Sequence, residues 1–187
     1  MTIFAMTKRL LRFLWYKILI GRDAVGFARS LGVEIGDNVH FYGMDKNMFG
    51  GEPWLITIGN NVYIGAHCQF ITHDGLAVIL RKEVPDLQLS APISIGNDVG
   101  IGISTLIMPG VKIGNRVIIG AGSVVTRDIP DNSVAAGVPA RVIMTTDEYL
   151  EKAKKKSLHL GHLSSAEKEI ALMRHFQVDP AKITRRV

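Results

Sequence analysis

Residues 95–143 read IGNDVGIGISTLIMPGVKIGNRVIIGAGSVVTRDIPDNSVAAGVPARVI, and this stretch repeats with a period of six. An aliphatic side chain occupies every sixth position, at Ile95, Ile101, Ile107, Ile113, Ile119 and Val125. Four positions after each of them stands a small or branched residue, at Val99, Thr105, Val111, Val117, Ser123 and Ile129. The same pattern occurs earlier in the chain, at Ile35-Gly36, Ile58-Gly59 and Ile64-Gly65.

A period of six is neither helical nor the simple alternation of a strand. It predicts one short strand and one turn per step, with three steps closing a triangular coil of about eighteen residues. The aliphatic residue of each step points inward, and the glycine and asparagine residues that follow it suit tight corners. The predicted fold class is therefore an all-β solenoid, a parallel β-helix.

The repeat divides the chain into three parts. Residues 1–30 form a predicted N-terminal helical region, residues 31–144 the β-helix, and residues 145–187 a C-terminal helical tail. Within the β-helix, residues 74–92 form a predicted loop, because the spacing of the aliphatic residues across them is not a multiple of six. An insertion of that length in a compact domain usually carries function or is mobile.

Composition excludes several classes of protein. A single cysteine rules out an intrachain disulfide and fits a reducing compartment. The net charge of +5 comes from the two ends, whereas residues 31–144 hold more acidic than basic side chains, which argues against a nucleic-acid partner. Cations interrupt the apolar residues 4–20, so no run there approaches the roughly 20 apolar residues of a membrane span.

These features indicate a cytoplasmic protein. The amphipathic N-terminal helix is expected either to cap the open end of the coil or to contact the inner membrane peripherally.

The segments ITHDG (residues 71–75), GAGSVVTRDIP (residues 120–130) and AAGVPARVI (residues 135–143) resemble the hexapeptide-repeat acetyltransferases. This family includes galactoside and maltose acetyltransferases and the enzymes of surface-polysaccharide loci. The resemblance implies a left-handed coil and a homotrimer, with active sites in grooves between subunits that the 74–92 loop helps to wall. It also implies acetyl-CoA as donor, a sugar or nucleotide-sugar as acceptor, surface-polysaccharide biosynthesis as the setting, and no metal.

His73 matches the general-base histidine of the family. A sugar hydroxyl attacks a thioester poorly unless its proton is removed as the new bond forms, and imidazole titrates in the range that this step needs. Asp74, beside it, is expected to bind the acceptor, with turn capping as the alternative. His67 is predicted to face outward.

The donor site is also assigned through the resemblance. Small residues are expected to wall a slot for pantetheine, and cations to meet the nucleotide end of coenzyme A, because the arginine fork suits phosphate. The predicted donor-binding residues are Ile103, Ala121, Gly122, Thr126, Arg127 and Arg141. Ile103 stands where relatives can have a serine, so only its backbone N–H is left to serve the thioester.

The acceptor site departs from the family pattern. Where relatives have an asparagine, alignment places Met44, with Asp45 and Asn47 nearby. Asp45 and Trp54 are therefore the further candidates for acceptor contacts, since an aromatic ring can stack on a sugar. Cys68 falls on an inward position of the repeat and is expected to be core packing.

Two other functions fit a β-helix. A γ-class carbonic anhydrase would use three histidines on zinc between subunits, and His40, His67 and His73 are the candidates. The third interpretation is a noncatalytic scaffold, against which His73, the loop and two of the donor-site arginines argue.

Overall fold

A computed structural model describes residues 20–45 and 47–179, in which short strands alternate with tight turns. The strands are β1 (Glu34–Ile35), β2 (His40–Phe41), β3 (Ile56–Ile58), β4 (Val62–Ile64), β5 (Gln69–Phe70), β6 (Ile93–Ile95), β7 (Val99–Ile101), β8 (Leu106–Ile107), β9 (Lys112–Ile113), β10 (Val117–Ile119), β11 (Val124–Val125), β12 (Ser133–Gly137) and β13 (Ala140–Thr145). The α-helices are α1 (Ala24–Ser30), α2 (Thr146–Lys156) and α3 (Ser165–His175), and 3-10 turns span Pro53–Leu55 and Gly75–Leu80.

The strands form three sheets that the chain visits in turn. Sheet 1 has the order β1-β3-β6-β9, sheet 2 the order β13-β12-β10-β7-β4-β2, and sheet 3 the order β11-β8-β5. All neighbours are parallel except β12 and β13. In the regular part of the chain each residue pairs with the one 18 positions later, as Ile95 does with Ile113 and Val99 with Val117. One coil is therefore 18 residues with three faces.

The predicted inward positions form the core. Ile107 and Val125 are fully buried, and Ile95, Ile101, Ile113 and Ile119 are at most 4% exposed. The residues four positions after them are buried as well, including the polar Thr105 and Ser123, whose hydroxyls donate to Gly102 O and Gly120 O. Because each aliphatic side chain stacks on its counterpart one coil away, the six-residue period is a packing constraint.

Three coils deviate from 18 residues. Val62 pairs with Val99, an offset of 37, so residues between them add 19 to the regular coil. Glu34 pairs with Thr57, an offset of 23, which reveals a five-residue insertion between β2 and β3 that the period did not predict.

The closing coil is two residues short. Ile129 pairs with Ile113 rather than with Val111, which the regular period requires. Here the N–H of Lys112 donates to the carboxylate of Asp128 at 2.8 Å. That side-chain bond replaces a ladder bond and lets the chain cut the corner.

A column of amide side chains follows one edge of the coil. Each side-chain oxygen accepts a backbone N–H from the coil before it, at 2.7–2.9 Å, in the series Asn60, Asn97, Asn115 and Asp131. The next residue along the chain takes a positive φ of 53–56° at Asn38, Asn61, Asp98, Arg116 and Asn132. Short polar side chains tolerate this left-handed conformation, so sequence and corner geometry agree.

The start of the coil is covered by α1. Asp23 caps this helix by accepting from Gly26 N–H, and Phe27 and Ala28 are buried in the same core as the first strands. The N-terminal helix predicted over residues 4–20 lies almost wholly outside the described residues.

The chain divides into two compact units after Tyr149. In the second unit, α3 begins with a capping box in which Ser164 and Glu167 bond reciprocally. Within residues 20–45 and 47–179 no helix has the length and apolar character to cross a membrane.

The corner after each strand of sheet 2 leaves no room for a side chain at its first residue. A Cβ added to Gly102 would overlap the backbone of Ala121 in the next coil, and one on Gly65 would lie 2.6 Å from the nitrogen of Ile103. These glycines are therefore required by close approach of successive coils.

We expect Gly102→Ala to lower the free energy of unfolding by about 1–3 kcal/mol, because the added methyl group forces successive coils apart. Chemical denaturation at fixed protein concentration measures the change. Gly100→Ala is the matched control, since a Cβ there has no atom within 4 Å, and its effect should stay below about 1 kcal/mol. Equal losses in the two variants would contradict the close-approach explanation.

Candidate functional site

His73 lies where the chain leaves the coil. Ile71 makes the last regular ladder bond, from its N–H to Ile107 O at 2.9 Å. Beyond it the N–H of Ala91 donates to Thr72 O, and His73 forms an antiparallel bridge with Ser90. The two ends of the loop are thus fastened together directly behind the imidazole.

Glu52 holds the imidazole from the coil before it. Its Oε2 lies 2.6 Å from His73 Nδ1 and accepts a second hydrogen bond, also 2.6 Å, from the buried hydroxyl of Thr72. These two bonds, that from Thr72 first, hold the pKa of Glu52 below its ordinary value. An ionised carboxylate at Nδ1 favours the tautomer that carries its proton there, which leaves the Nε2 lone pair available.

The analysis of the sequence missed Glu52. It belongs to the five-residue insertion of the first coil, next to the 3-10 turn Pro53–Leu55, and no repeat position marks it. The signal that could have found it is the irregular spacing between Ile35 and Ile58, which shows extra residues in this coil.

Two glycines border the imidazole ring. A Cβ on Gly51 would lie 3.3 Å from His73 Cε1, and one on Gly75 would lie 3.7 Å from Nε2 and Cδ2. The side chain of His73 is 36% exposed. The ring is therefore oriented by Glu52 at one nitrogen and open to a small molecule at the other.

Asp74 starts the loop. Its carboxylate accepts from the N–H of Leu76 at 3.0 Å and so caps the 3-10 turn Gly75–Leu80, the alternative that the sequence left open. Farther along the loop, Arg81 donates to Leu87 O and to the side chain of Gln88, which closes it on itself. Several apolar side chains of the loop are exposed, including Leu76 and Ile79.

Three of the predicted donor residues share one edge of the coil. The N–H of Ser104 donates to Ala66 O and that of Gly122 to Ile103 O, each at 2.8 Å. Ala66, Ile103 and Ala121 therefore stack in successive coils, and we call them the corner column. Within the described ranges, the backbone N–H groups of Ile103 and Ala121 donate to no protein acceptor.

The other donor residues lie elsewhere. Phe70, Ile107 and Val125 pair in register, so Thr126 and Arg127 occupy the same corner as Thr72 and His73, two coils farther on. At about 4.8 Å per coil this separates them by roughly 10 Å along the axis. Arg141 lies on β13 and donates from Nη1 to Ala140 O. Thr126, Arg127 and Arg141 are all exposed.

The predicted acceptor residues are not gathered around His73 by hydrogen bonds in the described structure. Asp45 accepts from the N–H of Asn47 at 2.7 Å. Trp54 is 63% exposed in the 3-10 turn after Glu52. Met44, by contrast, is buried in the core, because the first coil needs an apolar residue at this inward position.

The three histidines of the zinc alternative lie apart within one chain. His40 is on sheet 2, where it bonds Asn38 and stacks on Tyr63 with ring centroids 5.0 Å apart. His67 is exposed at a corner with φ of 60°. Among residues 20–45 and 47–179, no group of three or more His, Cys, Asp or Glu side chains is placed to hold a metal ion.

Cys68 is fully buried, as predicted, and its Sγ lies 3.1 Å from Gly102 O. Burial raises the pKa of this thiol, which disfavours the nucleophilic thiolate.

Known proteins resemble this chain over most of the β-helix. The family described as "Bacterial transferase hexapeptide (six repeats)" matches residues 92–127. Protein CapG of Staphylococcus aureus is 44% identical over 149 residues, which cover 80% of this chain and 87% of CapG. The galactoside O-acetyltransferase of Escherichia coli K12 is 44% identical over 120 residues, covering 64% of this chain and 57% of that enzyme.

A solved structure gives the same fold. The crystal structure of a hexapeptide-repeat acetyltransferase from Vibrio cholerae superimposes with a TM-score of 0.51 at 29% identity, covering 65% of this chain and 78% of that one. Repeat, coil geometry and relatives agree, and the chain belongs to the family of hexapeptide-repeat acetyltransferases, which take their acetyl group from acetyl-CoA.

Proposed function

We propose that this enzyme transfers the acetyl group to a hydroxyl or amino group of a sugar or nucleotide-sugar in surface-polysaccharide biosynthesis, with His73 as general base. The observation that carries the proposal is the bond from His73 Nδ1 to Glu52, because it leaves Nε2 free beside an open approach. Galactoside O-acetyltransferases of two organisms are among the relatives, which supports a sugar acceptor.

In the proposed reaction, Nε2 of His73 removes the proton from the acceptor hydroxyl while the oxygen attacks the thioester carbonyl. The carbon–sulfur bond then breaks, and the imidazolium returns the proton to the departing thiolate. The products are the O-acetylated sugar and free coenzyme A. Glu52 stabilises the imidazolium that forms between these two steps, as a carboxylate does for histidine in other acyl transfers.

The donor is proposed to run along the coil axis. Arg141 and Arg127 would meet the nucleotide end, with Thr126 beside them, while Ala121 and Gly122 wall the pantetheine slot. The unpartnered N–H groups of Ile103 and Ala121 are suited to the amide oxygens or to the thioester oxygen. Asp45, Asp74 and Trp54 remain the proposed acceptor contacts.

The site needs a second subunit in this proposal. His73 and the corner column border sheet 3 on opposite sides, so one chain does not bring them together. We therefore infer a left-handed coil assembled as a homotrimer, in which the exposed apolar side chains of the loop contact a neighbour. A cytoplasmic location and a peripheral membrane contact through the N-terminal region stay predictions.

A thiol-release assay with acetyl-CoA against sugars, amino sugars and nucleotide-sugars tests the function. We expect release with at least one acceptor and a 10²- to 10⁴-fold lower kcat, as an order of magnitude, in His73→Ala, because the proton acceptor is lost.

His40→Ala is the control for this variant. It removes an exposed imidazole that a three-histidine zinc site would require, so it should leave kcat within about threefold of the parent if no such site exists. A loss below about threefold in His73→Ala, or equal losses in both variants with stoichiometric zinc, would reject the general-base role.

We expect Glu52→Gln to lower kcat by at least about tenfold with a smaller change in KM, because the amide can donate to Nδ1 and reverse the tautomer. Steady-state kinetics on the best acceptor measures the split. Unchanged kcat would mean that the imidazole needs no carboxylate.

Stability against pH gives a second readout for the same variant. The folded pKa of Glu52 is lowered, so its carboxylate stabilises the fold above the unfolded value of 4.5, and this contribution disappears as the pH falls through the folded pKa. The stability difference between the parent and Glu52→Gln should therefore shrink below pH 4.5. A constant difference would speak against an ionised Glu52.

We expect Arg127→Ala to raise the KM for acetyl-CoA by about 10- to 100-fold, because a charge-assisted bond to phosphate is worth about 1.5–3 kcal/mol. Acetyl-pantetheine lacks the nucleotide phosphates, so its KM should be unchanged. Arg174→Ala, which removes an exposed arginine from α3, serves as the control for total charge. Equal effects on both donors would remove Arg127 from the phosphate site.

A further inference from the structure

The corner column contains one large side chain. Ala66 and Ala121 flank Ile103 in successive coils, and Gly122 follows Ala121 along the chain. Ile103 is 55% exposed, so its side chain projects outward at an edge where the neighbouring coils present only methyl groups or hydrogen. A slot along this edge is therefore narrowed at a single level.

Ile103 is held firmly in that position. A Cβ on Gly65 would lie 2.6 Å from the nitrogen of Ile103 and 2.9 Å from its Cγ2, so backbone and side chain press against the coil before them. Isoleucine is also stiff at χ1 because two heavy atoms branch at Cβ. The narrowing is thus a fixed feature of the edge.

The level of Ile103 along the axis follows from the strand register. Arg127 and Ala121 belong to the coil of β10 and β11, Ile103 to that of β7 and β8, and His73 to that of β4 and β5. A donor with its phosphates at Arg127 and its reacting carbon near the level of His73 passes Ala121 first and Ile103 last. Ile103 is the side chain at the acyl end.

We propose that Ile103 restricts the donor to a short acyl group and so selects acetyl-CoA over longer acyl-CoA thioesters. The proposal rests on the proposed function, because it places the donor along the corner column. In this arrangement the branched side chain fills the space that the third and later carbons of a longer chain would need. Ile103 is a specificity-determining residue, and its backbone N–H remains available to the thioester.

The test compares acetyl-, propionyl-, butyryl- and hexanoyl-CoA in the thiol-release assay, with the best acceptor from the sugar panel. We expect the parent to prefer acetyl-CoA and Ile103→Ala to lower the acetyl-to-butyryl ratio of kcat/KM by at least about tenfold, since one methylene in an apolar pocket is worth about 10- to 200-fold. Ile143→Ala is the matched control, because Ile143 is also an isoleucine and is 56% exposed on β13. Its ratio should equal that of the parent.

Free coenzyme A supplies an independent readout because it carries no acyl group. Its Kd, measured by calorimetry, should differ by less than about threefold between the parent and Ile103→Ala, whereas a larger loss would make Ile103 a wall of the pantetheine slot and overturn the proposal. A ratio unchanged in Ile103→Ala, or a parent that uses butyryl-CoA as well as acetyl-CoA, would also overturn it while leaving the acetyltransferase function intact. Failure of the parent to release thiol from every thioester would instead reject the proposed function.

Discussion

The stacking of one aliphatic layer on the next, 18 residues apart, is the constraint on which this protein depends. Parallel backbone ladders hold successive coils at the strand spacing, and fully buried side chains such as Ile107 and Val125 fill the interior. Any residue at an inward position must therefore fit the side chains one coil before and one coil after it. The outer surface is free of that requirement, and the chemistry is placed there.

The candidate site is built where the coil is interrupted. Two insertions, between β2 and β3 and after β5, bring Glu52 to the imidazole of His73. The regular coils on the C-terminal side supply a straight edge with unpartnered N–H groups at Ile103 and Ala121. Irregular backbone thus orients the reacting group, while regular backbone offers a long surface for an extended donor.

The period of six predicted the coil and its inward residues, because each position has one environment that recurs. It could not predict Glu52, whose contact with His73 depends on the path of an insertion and not on the repeat. Alignment by motif put Met44 at an acceptor position, yet the core required its side chain inward. Ile129 pairs two residues out of phase, since the carboxylate of Asp128 substitutes for a backbone acceptor. Local side-chain chemistry decided each of these outcomes.

Whole coils also set a unit of length for this molecule. The distance along the axis from the Arg127 corner to the His73 corner is two strand spacings, and packing allows no fractional value between them. Addition or loss of one complete coil would shift the two corners by a single step of about 4.8 Å, with every layer still in phase. The scaffold therefore behaves as a notched ruler, on which substrates of different lengths are matched by counting turns.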